Sequence, residues 1–554
     1  MASNQNESPN GQASDKDDII ETDVLIVGAG VTGFTLSLLL ADYGVKALTV
    51  AKHRGTAPSP RAHITNQRTV EIFRDMGIEQ DIHAVSTPLT ALGNCVMSTS
   101  MTAPEIARYS CYGAGNELET VLLARAHEKH ADIRFSTALV AIEQDEEGVL
   151  ATVRERLTNA EYRVRAKYAY GADGGRTAVA DLLGFTFHGD PGLMNMMTCW
   201  IEVDLAQYAA HRPACMYWIV RPGNAFWVGS GTLITVKPFK EWLMNRQYDA
   251  ADEPDMSEEA VIEYARSLIG IADAPVRVKD VSKIRWLLVN IAWAEFLLVD
   301  AYNIAWKLAL VLSGHAEDQI LDSYSQERQP VGKQIVDAAI QALYNMTRLP
   351  EALGFRRGQL EEEGNAALAA LGADDPDAEK RRAELAGVVK LQDRRSNALG
   401  VQLGQRYSNS CAVCYDGTPF PAHQRDSTLF YEPTTHPGAY LPHVWVEHEG
   451  RRISTLDIFP FGTFGLIVGV GGGPFVAAAQ QVAQETGIAI PVYDVGSRCT
   501  YNDVLGEWRT ACEISDRGAL LVRPDRFVAW RSVDRPSDPL QALRSAVCHI
   551  LGLK

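Results

Sequence analysis

Three groups of residues in this chain have types and spacings suited to chemistry. The first is Gly28-Ala29-Gly30-Val31-Thr32-Gly33, which follows the apolar run Val24-Leu25-Ile26-Val27 and opens a segment closed by Gly44. In such a pattern the first glycine permits a tight turn, the second lets a pyrophosphate approach the backbone, and the third lets helix and strand pack closely. The unpaired N–H groups of the helix start then face the phosphates. Gly28, Gly30, Thr32 and Gly33 are therefore candidate dinucleotide-binding residues. The second group is the proline-stiffened loop Pro58-Ser59-Pro60-Arg61-Ala62-His63-Ile64-Thr65-Asn66-Gln67-Arg68-Thr69. Its cationic and polar groups suit diphosphate contact or pocket lining; the plain alternative is a solvated surface loop. The third is Gly171-Ala172-Asp173-Gly174-Gly175, where an apolar strand ends in a carboxylate beside small residues that allow close backbone approach.

These groups need strands and helices to place them. The pattern predicts a strand over Val24 to Val27, a helix ending at Gly44, and a second strand over Ala47-Leu48-Thr49-Val50. An NAD-binding unit carries an acid at the end of that second strand to hold the ribose. Here Ala51-Lys52-His53-Arg54 follow, so the acid is missing and basic residues stand in its place. Further along, Met216-Tyr217-Trp218-Ile219-Val220 and Ala225-Phe226-Trp227-Val228-Gly229 read as aromatic strands, suited to core or to an apolar wall for an aromatic substrate. Residues from about 346 to 395 read as charged, helical, connecting surface. From about Leu399 the texture becomes a separate α/β domain. There Gly469-Val470-Gly471-Gly472-Gly473-Pro474 mimics a second nucleotide loop, a reading we reject, and Cys411-Ala412-Val413-Cys414 mimics a redox pair.

Composition narrows the class. A chain of 554 residues is long enough for two or three domains, and its net charge of −17 argues against nucleic-acid or anionic-membrane surfaces. Nine scattered cysteines fit no disulfide framework and point to a reducing, cytoplasmic setting. No apolar run reaches the roughly 18 residues of a membrane span. The polar start reads as a disordered tail over 1–19.

Four stretches carry a more specific signal: PRAHITNQRTVEIFRDMGIE, YGADGGRTAVADLLGF, YNIAWKLALVL with LDSYSQERQPVG, and LLVRPDRFVAWR. In this order they resemble the FAD-dependent aromatic hydroxylases, most closely the phenol 2-monooxygenase and 2,4-dichlorophenol 6-monooxygenase family. Within that family Ala51-Lys52 is an ordinary variant of the strand end, so the missing acid does not count against FAD. The resemblance implies an α/β fold: an FAD-binding, Rossmann-like domain of the glutathione-reductase type over 20–398, with an interleaved sheet-and-helix substrate domain at about 186–285. It implies a thioredoxin-like C-terminal domain without redox chemistry over 399–554, and a homodimer. The implied reaction uses NADPH or NADH to reduce FAD and O2 to hydroxylate a small aromatic substrate beside a phenol oxygen. Carried over by position, Gly28, Gly30 and Gly33 cradle the diphosphate, and Lys52 and Arg61 approach the adenosine and phosphates. Gln67 flanks the flavin, and Asp173-Gly174 serves both FAD and the nicotinamide cofactor. His63 aligns with a polar position facing the phenol, whose proton an imidazole of pKa near 6.5 can take; equally, it is a loop histidine bonded to backbone.

The chain also departs from that family. Relatives carry a strand ending in Gly-Asp, whose aspartate holds the ribityl chain, and then a long loop over the flavin ring. Here Asn290-Ile291-Ala292-Trp293-Ala294-Glu295-Phe296-Leu297-Leu298-Val299-Asp300 runs straight into the next helix. Two registers stay open: Phe296 to Asp300 is the remnant of that strand, or Asp300 is the aspartate that starts the helix. A flavin-contacting glutamine is also absent before Leu118. These gaps fit either a diverged paralogue with impaired or altered flavin chemistry or a sequence translated with coding segments omitted.

Overall fold

The apolar run that precedes the glycines becomes the centre of a sheet. A computed structural model of the chain describes residues 19–57, 65–87, 92–110, 118–175, 177–186, 194–223, 230–249, 251, 253–286, 294–356 and 358–554. Strand Ile20–Val27 lies between Ala47–Val50 and Glu161–Gly171, parallel to both. Asp132–Arg134 closes one edge, and Gly148–Glu155 and Thr137–Asp145 extend the other as antiparallel strands. Val24, Leu25 and Ile26 have no exposed surface, as a strand covered on both faces requires. One face packs on helix Val31–Asp42, which in turn packs on helix Ala294–Leu312 through Phe34, Leu38, Leu298 and Tyr302.

A second sheet has seven strands in the order Arg277–Trp286, Met194–Glu202, Glu241–Tyr248, Gly231–Lys237, Met216–Ile219, Asn94–Ser98, Glu105–Ser110. Its last two strands come from well before residue 186, so the sheet is wider than the segment assigned to it from sequence. Cys95 pairs with Met216 in parallel register, a long-range match invisible to a reading along the chain. Helix Glu258–Ile269 covers one face over Trp242, Met244 and Tyr217. On the other face Met97, Trp218 and Val220 meet Leu349, Leu353, Phe355 and Val388. The charged region after residue 346 is therefore more than a connection: its helices close one side of this sheet. Tyr217 and Trp218 are core, whereas Ala225 to Gly229 lie outside the described residues.

The third sheet, in the C-terminal part, runs Arg451–Ser454, Trp445–His448, Tyr501–Asn502, Val492–Gly496, Gly465–Val468, Ala519–Val522, Val528–Ser532. Helices Gly473–Thr486 and Pro539–Leu551 share one apolar cluster on it. The glycines before Pro474 serve packing: a Cβ on Gly469 would lie 2.6 Å from the Asp516 carbonyl, and one on Gly472 2.3 Å from Val468 Cβ. Burial pushes the Cys411 and Cys414 thiols up, which suits structural cysteines rather than thiolate nucleophiles.

The helices of the first part and the third sheet meet around buried charge. Glu327, on the long helix Gln319–Ala352, accepts hydrogen bonds from Lys307 Nζ at 2.8 Å, Asn303 Nδ2 at 2.7 Å and Arg523 Nη2 at 3.0 Å. Arg523 also donates from Nε to Asp525 Oδ1 at 2.9 Å. The side chains of Lys307, Glu327 and Arg523 are wholly buried. Burial pushes the Glu327 carboxyl up, but the charges of Arg523 and Lys307 outweigh it and hold the group well below its ordinary value of 4.5. Burial likewise lowers Lys307, to about 8 despite the neighbouring carboxylate.

Glu327→Gln leaves two buried cations short of a counter-charge, and we expect it to cost about 3–5 kcal/mol of stability, read by denaturant unfolding. The folded carboxyl binds its proton more weakly than the unfolded one, so its contribution is complete above about pH 4.5 and is lost as the pH falls below that. The variant should therefore show a shallower loss of stability in acid than the parent. Equal acid profiles would show that Glu327 does not carry the linkage.

Candidate functional site

The three glycines of the turn after Val27 answer to different constraints. Gly28 has φ of +114°, and its N–H donates to the Val50 carbonyl at 2.8 Å. A Cβ there would sit 2.2 Å from the Ala172 carbonyl oxygen, and one on Gly33 would sit 1.8 Å from that of Gly28. Both positions are glycine because backbone approaches backbone. Gly30 is different: a Cβ there would meet no atom within 4 Å. Gly30 also caps helix Val31–Asp42 without a side-chain hydrogen bond, and the first turn carries no acid. Open space at an uncapped helix start suits an external anion.

That space belongs to a cavity of about 480 Å³ lined by Gly28, Gly30, Lys52, Arg54, Asp173 and Gly174, among others. The structure thus brings the glycine turn, the end of the second strand and the Asp-Gly motif to one place. Thr32 lies in the first helical turn and Gly33 packs beneath the loop. The Lys52 carbonyl accepts from Arg156 Nη1 at 2.7 Å, which fixes the strand end. Asp173 Oδ2 accepts from the Ala178 and Val179 N–H groups at 2.6 and 3.3 Å, so the carboxylate caps helix Ala178–Leu183 while its residue lines the cavity. Glu119 lines the same cavity and accepts from the Ala57 N–H at 2.8 Å. Sequence reading passed over it, because it comes from a helix with no motif of its own. Arg61 and His63 lie outside the described residues.

Two candidates stand elsewhere. Gln67 opens helix Gln67–Asp75, capped by Asn66, whose Oδ1 accepts from the Thr69 N–H at 2.9 Å. It lines a second cavity, of about 630 Å³, between this helix and the C-terminal part. In that seam buried Arg68 donates to the Tyr440 hydroxyl at 2.7 Å and the Asp525 carbonyl at 3.0 Å. Burial pushes the neighbouring Glu71 carboxyl up, against the pull of Arg68. Asp300 lies within helix Ala294–Leu312 and accepts from Arg328 Nε at 2.6 Å. Phe296 to Asp300 is helix rather than strand, and the helix begins at Ala294, ahead of Asp300, so neither expected register holds as stated.

Comparison with known proteins fits this geometry. Residues 21–286 and 298–339 match the FAD binding domain family, and 434–553 match the C-terminal domain of aromatic-ring hydroxylases. A 2,4-dichlorophenol 6-monooxygenase of Delftia acidovorans is 36% identical, with 98% of this chain and 100% of that protein covered. A phenol 2-monooxygenase of Pseudomonas sp. (strain EST1001) is 32% identical over 95% of this chain and 92% of its own length. A crystal structure of the flavin-dependent monooxygenase PieE with FAD and substrate gives a TM-score of 0.91 at 36% identity, covering 97% of this chain and 100% of that one. The Delftia alignment spans 588 positions whereas this chain has 554 residues, so at least 34 positions of the relative face none here. Likeness over nearly the whole length favours a working monooxygenase over a flavin-impaired paralogue. The chain belongs to the FAD-dependent aromatic-ring hydroxylases, the monooxygenase family whose two domains it carries in order.

Proposed function

We propose that the chain hydroxylates a phenolic ring at the expense of NADPH or NADH and O2. The observation that carries this reading is the open space at Gly30, at an uncapped helix start inside a cavity that also holds Lys52, Asp173 and Gly174. FAD would lie with its diphosphate at Gly28, Gly30, Thr32 and Gly33 and its adenosine end toward Lys52 and Arg61. When bound, it supplies the redox and oxygen chemistry. The protein's own work is to bind the ring, exclude water and move one proton. We assign that proton transfer to His63, which takes it from the phenol oxygen, and leave Gln67 beside the flavin. Asp300 we assign to holding Arg328.

We infer also that residues 399–554 form a thioredoxin-like domain and support a homodimer. In favour is its core order Val492–Gly496, Gly465–Val468, Ala519–Val522, Val528–Ser532, with the first pair parallel and the rest antiparallel. Val470, Val504, Leu505 and Val533 on its surface are at least half exposed, which suits a subunit contact. No described helix is long and apolar enough to cross a membrane, and the scattered cysteines support a cytoplasmic setting.

Four experiments test the reading. With FAD, NADPH and a panel of phenols under labelled O2, the product should carry one labelled oxygen atom; peroxide alone, with no labelled phenolic product, would overturn hydroxylation. Gly30→Val should leave the apo protein's melting temperature nearly unchanged and weaken FAD binding at least about tenfold. Gly33→Ala should instead lower that melting temperature, since its Cβ strikes the Gly28 carbonyl. His63→Ala should lower kcat by about 10² at neutral pH and regain much of it as the pH approaches the phenol's own pKa near 10. A loss independent of pH would assign His63 to structure.

A further inference from the structure

The second sheet carries a polar corner that the reaction so far leaves unexplained. On strand Glu241–Tyr248, Trp242 and Met244 face helix Glu258–Ile269, so Leu243, Asn245 and Gln247 lie on the opposite face. Asn245 pairs across the sheet with Thr198 on one side and Thr232 on the other. Thr198 Oγ1 donates to Asn245 Oδ1 at 2.7 Å, and Asn245 Nδ2 donates to Thr232 Oγ1 at 3.2 Å. The amide is thereby held at both ends, with its second N–H left over. Gln247, two residues on, has a buried Oε1 with no hydrogen-bond partner. A buried acceptor without a donor is costly, and a native structure that keeps one calls for an account of what fills it.

The surroundings indicate the missing donor. Leu243 belongs to an apolar cluster on this face, with Ile234 and Met216. Among the described residues, buried Met196, opposite Gln247, joins none of the apolar clusters on this sheet. Gln247 and Met196 stand at the end of the sheet where Met194 pairs with Trp286. That is also where the match to the FAD binding domain family breaks off, at residue 286, to resume at 298. Apolar walls with a few oriented hydrogen-bonding groups suit an oxygenated aromatic ring.

We propose that Thr198, Asn245, Thr232 and Gln247 form a specificity track that recognises a second hydroxyl on the aromatic substrate, away from the phenol that reacts. The inference rests on the hydroxylase reading above. The second hydroxyl donates its proton to Gln247 Oε1, and its oxygen accepts the remaining N–H of Asn245. Thr198 does not touch the ring and acts by holding the Asn245 amide in place. The substrate class is thus a polyhydroxylated aromatic rather than a simple phenol.

The test uses FAD-loaded enzyme and calorimetric titration with two probes that differ by one hydroxyl, 1-naphthol and 1,3-dihydroxynaphthalene. The parent should bind the diol at least about tenfold more tightly, the scale of one well-placed hydrogen bond to a buried group. Asn245→Leu and Gln247→Leu should each remove most of that preference while leaving 1-naphthol affinity within about twofold. Gln247→Leu disturbs no hydrogen bond of the ladder, so it reads the proposal even where Asn245→Leu harms folding. Thr198→Val should weaken the preference and Thr198→Ser restore it, which loss of packing alone does not do. If both probes bind the parent equally, or the preference survives in Gln247→Leu, the track is overturned and the hydroxylase reading stands. If neither probe binds the parent, the aromatic-substrate reading fails and the track with it.

Discussion

Glu327 has no contact with water, and a carboxylate in that position must find cations from within the chain. It finds Lys307 one helix earlier and Arg523 nearly two hundred residues later, at the turn between the strands Ala519–Val522 and Val528–Ser532. Such a cluster does not tolerate partial docking, because each missing partner strands a buried charge. The helices behind the first sheet and the C-terminal part therefore share one charge cluster, and separating them would strand its members. Apolar contact alone would hold them less selectively, since it has no direction.

The consequence reaches the cradle by packing. Helix Ala294–Leu312 presents Lys307 and Asn303 to Glu327 and packs through Leu298 and Tyr302 on the helix that starts at Gly30. A second seam ties helix Gln67–Asp75 to the same C-terminal turn: Arg68 reaches the Asp525 carbonyl, and Arg526 Nη2 donates to Asp75 Oδ1 at 2.8 Å. Helices Ala294–Leu312 and Gln67–Asp75 are thus both anchored to residues 524–526. The C-terminal part is thereby joined, through helix Ala294–Leu312, to the helix that follows the glycine turn.

Much of this was legible in the residues, and the illegible part has a physical cause. The strand, glycine turn and helix around Gly28 were readable because local sterics dictate them. The Asp-Gly motif was readable as a close approach, but Asp173's helix cap depends on how the chain turns after residue 175. LALVL, SQERQ and VRPDR were recognisable as separate strings. That Lys307, Glu327 and Arg523 neutralise one another is a long-range fact that no local pattern carries. The same holds for Glu119, which meets the cavity across 62 residues of chain from Ala57. The second sheet was underestimated for the same reason, since two of its strands arrive from residues 94–110.

The match to the FAD binding domain family pauses at one edge of the second sheet. The strand Arg277–Trp286 ends where the family match pauses, and Asp300, the one acid near the junction with a claim to the ribityl chain, is turned to Arg328. The glycine turn is specified by close-packed backbone, whereas this edge is specified by strand pairing. The polar corner at Asn245 and Gln247 stands there, on strands fixed by pairing to both neighbours. Rigid strands hold hydrogen-bonding groups more exactingly than loops do. At this edge, then, the positions of Thr198, Asn245 and Thr232 are set by strand pairing and by the hydrogen bonds between their side chains.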